Sequence, residues 1–132
     1  MWDHNCGCVP VADENLKVLG ILTDRDICMA AYTRGLPLSD LCVAEAMSKD
    51  VACCRPGDEI SRAERLMAER QVRRLPVVTD DGRLLGVLSV NDLAREATRE
   101  RPLSKKSVGT DEVIATLAAT CQPRPGTALA AA

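Results

Sequence analysis

Two stretches of the chain pass from apolar to polar in the same order. Val18-Leu19-Gly20-Ile21-Leu22 runs into Thr23-Asp24-Arg25-Asp26, and Leu84-Leu85-Gly86-Val87-Leu88 runs into Ser89-Val90-Asn91-Asp92, at a constant offset of 66 positions. Each aliphatic run predicts a buried strand, and the residues after it, Ile27 to Ala31 or Leu93 to Ala97, predict a helix. Upstream, Pro10-Val11 and Pro76-Val77 open an earlier strand at the same offset. A polar turn separates the strands, Asp13-Glu14-Asn15 in one copy and Asp80-Asp81-Gly82 in the other. Strand, turn and strand predict a hairpin. The chain therefore holds two copies of one small unit, neither of which buries its apolar face alone.

Between and around the copies the pattern changes. Tyr32-Thr33-Arg34-Gly35-Leu36-Pro37 ends the first helix, and Val43 to Met47 predicts a short helical turn inside a connection. Asp50 to Cys54 reads as a strand, Pro56-Gly57 as a turn and Asp58 as an N-cap. The next helix places Ile60, Ala63, Leu66 and Met67 on one face. At the fixed offset, positions 50–66 have no counterpart in the first copy, so that copy is expected to be shortened at its N-terminus or completed by another polypeptide. Thr98 to Ser107 is a charged linker, Thr110 to Ala119 a capped final helix, and Gln122 to Ala132 a Pro/Gly/Ala-rich tail expected to be disordered.

The hydroxyl–x–x–acid spacing of Thr23/Asp26 and Ser89/Asp92 has two readings. It is a capping box, sufficient by itself to start a helix. The same helix start offers backbone N–H groups and positive partial charge to a phosphate, and an acid in its first turn can accept from ribose hydroxyls. The exact repetition favours the second reading over what one box would carry.

Four features in sequence order resemble the cystathionine-β-synthase (CBS) domain pair, or Bateman module. They are Met47-Ser48-x-Asp50-Val51, Arg73-Arg74-Leu75-Pro76-Val77, the Asp80-Asp81-Gly82 turn and the two glycine-to-aspartate stretches. The resemblance covers roughly residues 1–97. It implies an α/β fold of tandem strand–helix–strand–strand–helix repeats related by a pseudo-two-fold axis, the first truncated. The repeats would be 1–34 and 48–97, joined by 35–47 and followed by the linker, helix and tail of 98–132. It further implies an adenosine ligand, AMP, ADP, ATP or S-adenosylmethionine, held in a cleft between the repeats. Asp92 and Asp26 would then take the ribose, and Ser89, Thr23, Arg73, Arg74 and Arg25 the phosphate. Ala52, Cys53, Leu75, Pro76, Val9 and Pro10 would form the adenine pocket. The second repeat carries the fuller set, since Gly7 and Cys8 stand in the first where Arg73 and Arg74 stand in the second. The role implied is a regulatory sensor, a homodimer or a partner of an unidentified effector, with a purely structural pairing module as the alternative.

Composition narrows the choice. A net charge of −2 and only two aromatic residues, Trp2 and Tyr32, argue against a nucleic-acid partner. No apolar run approaches the ~20 residues of a membrane span and no secretory pattern opens the chain, so a cytoplasmic location is expected. Seven cysteines, an odd number, do not read as a disulfide framework. His4, Cys6 and Cys8 lack the spacing of a metal site, so no metal and no cofactor are expected. With one histidine and no nucleophile or paired-carboxylate constellation, the chain does not read as an enzyme.

Overall fold

The computed structural model describes residues 1, 3, 6–98 and 108–122. The element order is β1 (Cys8–Ala12), β2 (Val18–Thr23), α1 (Asp24–Arg34), a 3-10 turn (Leu38–Asp40), α2 (Val43–Ala46), α3 (Ile60–Arg70), β3 (Arg74–Val78), β4 (Leu84–Ser89), α4 (Val90–Ala97) and α5 (Thr110–Thr120). The bounds of β1 and β2 and the start of α1 recur in β3, β4 and α4 at the same 66-residue offset. The internal duplication is thus a duplication of structure, hairpin followed by helix.

Both hairpin turns close by the same bonds. The Asp13 amide donates to the Lys17 carbonyl at 2.9 Å and the Thr79 amide to the Arg83 carbonyl at 2.9 Å. A side-chain oxygen fills each turn: Asp13 Oδ1 accepts from the Lys17 amide at 2.8 Å, and Thr79 Oγ1 accepts from the Arg83 amide at 3.0 Å. Asx and hydroxyl turns of this kind satisfy backbone groups that the strands cannot reach.

The described residues pack as two compact units, one drawn from 1–55 and 76–86 and the other from 56–75, 87–98 and 108–122. In the first, β1 runs antiparallel to β2, with Cys8 opposite Thr23, Val9 opposite Leu22 and a bulge between Val11 and Ala12. β2 is bridged on by Ser48, whose amide and carbonyl both bond Ile21 at 2.9 and 3.0 Å. Gly20 is required here: a β-carbon on it would lie 2.6 Å from Met47 Sδ and 2.9 Å from the Ser48 carbonyl oxygen. Cys8, Leu22, Cys54, Pro76 and Val78 are buried in this unit. α1 ends where expected, with Gly35 as its left-handed C-cap, yet it buries no residue.

In the second unit α5 packs against α3 and α4. Ala63 and Met67 of α3, Val90, Leu93 and Ala97 of α4, Val113 of α5 and Leu75 make its core. Glu64 and Thr116 are buried in the same unit. The Thr116 hydroxyl donates to the Glu112 carbonyl at 2.9 Å, whereas Glu64 Oε1 has no hydrogen-bond partner.

Two expectations require correction. Asp50 to Cys54 does not form a strand: only Cys54 bridges, in parallel, to Val77, with its amide on the Pro76 carbonyl at 3.0 Å and its carbonyl accepting from the Val78 amide at 2.9 Å. The ladder stops because Pro76 has no N–H for the Ala52 carbonyl, and Pro56, two residues beyond Cys54, has none with which to continue it. Asp58 does not cap α3; Glu59 occupies that position without a side-chain cap, and Asp58 instead pairs with Arg62 at 2.9 Å. The linker at 99–107 and the tail from 123 lie outside the described residues.

Candidate functional site

Each duplicated unit ends its second strand on a hydroxyl residue that caps the next helix. In α1, Asp26 Oδ2 accepts from the Thr23 amide at 2.9 Å and the Thr23 hydroxyl at 2.7 Å, while the Asp26 amide donates back to Thr23 Oγ1 at 3.1 Å. In α4, Asp92 Oδ2 accepts from the Ser89 amide at 2.9 Å and hydroxyl at 2.5 Å, and the Asp92 amide donates to Ser89 Oγ at 3.2 Å. The box consumes one carboxylate oxygen and leaves Oδ1 of each aspartate for another partner. Both aspartates are half-buried, open enough to receive one.

The strand entrances reach the same places. The carbonyl of Arg73 accepts from the Val90 amide at 3.0 Å, and the carbonyl of Gly7 from the Asp24 amide at 3.2 Å. Arg73 and Gly7 are equivalent at the repeat offset, as are Val90 and Asp24. Arg73 is therefore held at the start of α4 by its backbone, with an exposed side chain, while Arg74 is half-buried in β3. Arg25 is exposed on the first turn of α1.

Of the six positions expected to line an adenine pocket, Val9 and Pro10 are half-buried on β1. Leu75 and Pro76 are fully buried on β3. Ala52 and Cys53 are half-buried in the extended stretch that reaches Pro76 through Cys54. Burial holds the Cys53 thiol above its ordinary pKa, so it stays a neutral, weakly polar wall.

The two helix starts differ in charge. The Arg95 guanidinium donates to Asp92 Oδ1, the oxygen that the box leaves over. The hydrogen bond from Ser89, helped by Arg95, holds the Asp92 carboxyl below the usual aspartate range. In the first repeat Met29 occupies the position of Arg95, and Asp26 Oδ1 takes no hydrogen bond among the described residues. There Asp24 adds a second carboxylate, its Oδ1 accepting from the Arg25 amide at 2.8 Å. Sequence reasoning passed over Arg95 and Asp24; the signal for Arg95 was its spacing of three from Asp92, which puts both on one helix face.

Among the described residues no group of three or more His, Cys, Asp or Glu side chains could hold a metal ion, and His4 lies outside them. No helix among the described residues is long and apolar enough to cross a membrane.

Residues 3–32 and 43–99 match the CBS domain family model, and the chain belongs to that family. It is 37% identical over 94 residues to the CBS domain-containing protein YhcV of Bacillus subtilis, covering 71% of this chain and 65% of that protein. The curated relatives it resembles are longer than the match, which spans about half to two thirds of their length. Among solved structures, the CBSX2 protein in complex with AMP aligns with a TM-score of 0.62 and 28% identity, over 73% of this chain and 74% of that one. The CBS domain pair of MJ0100, in complex with 5′-methylthioadenosine and S-adenosylmethionine, aligns with a TM-score of 0.61 and 26% identity, over 71% and 72%. The fold is thus that of a CBS domain pair, α/β with tandem repeats.

Proposed function

We propose that this chain is a regulatory module that binds an adenosine ligand, AMP, ADP, ATP or S-adenosylmethionine, at its duplicated helix starts. The observation that carries the reading is the pair of matching hydroxyl–aspartate boxes, in each of which one carboxylate oxygen accepts two hydrogen bonds and the aspartate amide returns a third, so that the box itself does not use the second oxygen. Hydroxyls of a ribose suit such an acceptor, and relatives of this fold have been solved with adenosine ligands. Ser89 and Thr23, with Arg73, Arg74 and Arg25, supply the polar and cationic groups for a phosphate. Ala52, Cys53, Leu75, Pro76, Val9 and Pro10 supply apolar surface for the base. Binding acts by population shift, favouring one arrangement of the chain by no more than the ligand's differential affinity for the two.

The experiment is a thermal-shift panel of adenosine and guanosine nucleotides and S-adenosylmethionine, followed by calorimetric titration. At about 100-fold excess over its dissociation constant a true ligand adds about 2.7 kcal/mol of stability. Asp92→Ala should lower affinity by about tenfold or more, because the ribose hydroxyls lose their acceptor. Absence of any shift across the panel would sink the reading.

A second reading, that the chain is chiefly an interaction module forming a homodimer, rests on α1. That helix buries nothing, and Met29 and Tyr32 on it are 51% and 84% exposed. Sedimentation at micromolar concentration separates the two: a monomer that still binds nucleotide favours the sensor, and a dimer blind to every ligand favours the scaffold.

A further inference from the structure

The ion pair between Arg95 and Asp92 sits on the oxygen that the proposed ligand needs. Oδ2 of Asp92 already accepts two hydrogen bonds from Ser89, so a ribose must use Oδ1. Arg95 holds one of the two lone pairs there. A vicinal diol brings two donors, and the second can bond Oδ1 only by displacing the guanidinium. Arg95 is tethered one helical turn away on the same face. Its side chain is 76% exposed, so nothing packed around it prevents the movement.

The outcome of that displacement depends on the ligand. A ligand carrying a phosphate offers the released guanidinium a new anion, and paired N–H···O bonds to phosphate are at least as strong as the bond given up. A ligand without phosphate leaves Arg95 to the solvent and pays for the lost ion pair. The first repeat has neither element of this exchange. Met29 cannot compete for Asp26, and the Asp24 carboxylate, bonded to the Arg25 amide, already presents negative charge at that helix start.

We propose that Arg95 is the specificity determinant of the second repeat, making it select phosphorylated adenosine ligands over phosphate-free ones, an inference that rests on the adenosine-binding reading above. The first repeat, with Met29 in the place of Arg95, has no guanidinium on its Asp26 to exchange for a phosphate.

The test is calorimetric titration of AMP and of adenosine into the full chain. Asp26→Asn is present throughout to silence the first repeat while keeping an acceptor for the Thr23 amide. On adding Arg95→Met, AMP should weaken by about fivefold, the worth of an exposed charge pair, and adenosine should tighten by up to the same factor. The ratio of the two affinities is the readout, since a loss of helix stability would weaken both ligands alike. Arg95→Lys should restore part of the ratio. If both ligands bind and the ratio is the same with methionine as with arginine, the role of Arg95 is overturned while the adenosine reading stands. If the folded parent binds neither ligand, that reading falls and the role of Arg95 falls with it.

Discussion

Leu16 and Gly82 each accept a hydrogen bond from the other's hairpin in equivalent fashion. The Gly82 carbonyl accepts from the Val18 amide at 3.3 Å and the Leu16 carbonyl from the Leu84 amide at 2.8 Å. Both pairs of residues are equivalent at the 66-residue offset, so the two turn tips meet about a local pseudo-two-fold relation. Each residue also has the left-handed backbone of its turn, with φ of 63° at Leu16 and 84° at Gly82.

The left-handed region is open to glycine and costs a residue with a β-carbon about 1–2 kcal/mol. Leu16 is 50% exposed, so its side chain regains little of that through burial. Leu16→Gly should therefore raise stability by about 0.5–1 kcal/mol after the entropy of the new glycine is counted. Gly82→Leu, at a site with open space around the β-carbon, should lower it by about 1–2 kcal/mol through backbone strain alone. Urea denaturation of the two variants checks both signs, and a loss of stability in Leu16→Gly would contradict the account.

Gly20 and Gly86 are equivalent in sequence but not in surroundings. A β-carbon at Gly20 meets the Ser48 carbonyl, which is fixed by its bond from the Ile21 amide at 3.0 Å and cannot withdraw. Gly20→Ala should cost about 1–3 kcal/mol, the range for overpacking against backbone. At Gly86 nothing lies within 4 Å of the added carbon, so Gly86→Ala should be neutral or slightly stabilising. Melting temperatures of the pair settle it, and equal effects would show that the approach of Met47-Ser48 to β2 does not constrain the fold.

The parts legible in the sequence are those encoded locally. Turn residues, aliphatic runs and the Thr23/Asp26 and Ser89/Asp92 boxes lie within a few positions of one another, and the repeat states each twice. The fate of Asp50 to Cys54 was decided elsewhere, by Pro76, which has no N–H to offer the Ala52 carbonyl. Asp58 had a good competitor for its carboxylate in Arg62. The docking of α5 on α3 and α4, and with it the burial of Glu64, depends on packing between segments far apart in the chain. At the site, the boxes were readable as helix starts, whereas the unequal charge around them came from Arg95 and Asp24, residues outside the repeated pattern.

Two carboxylates should give the stability curve opposite slopes. Glu64 is 5% exposed with its Oε1 unbonded among the described residues, and burial first, then repulsion from Glu112, holds its pKa above the ordinary glutamate value. The folded chain thus binds that proton more tightly than the unfolded chain. The contribution is fully present below the unfolded value near pH ~4.3 and is lost as pH rises through the raised folded value. Asp92 has the reverse sign: its folded pKa is lowered, so its contribution is present above the unfolded value near ~3.9 and is lost as pH falls through the folded one. Glu64→Gln should stabilise the chain by about 1 kcal/mol at neutral pH and by much less near pH ~4. Asp92→Asn should flatten the acid limb. Melts of the two variants from acid to neutral pH check these slopes, and a Glu64→Gln effect independent of pH would contradict the first.

The two capped helices should differ in how they open. Their boxes match bond for bond, but α4 buries Val90, Leu93 and Ala97 whereas α1 buries no residue. A cap contributes about 1 kcal/mol in either place. In α4 that loss is added to the stability of a packed core, so Ser89→Ala should lower the global unfolding free energy. In α1 the helix can open while the rest of the first unit stays folded, because few apolar contacts are lost with it. Thr23→Ala should then speed amide exchange along Ile27 to Arg34 about fivefold while shifting the melting temperature less than Ser89→Ala does. Residue-resolved hydrogen exchange reads this directly. Protection in α1 equal to that in α4 would mean that α1 is covered by something, and the homodimer would be the first candidate to measure.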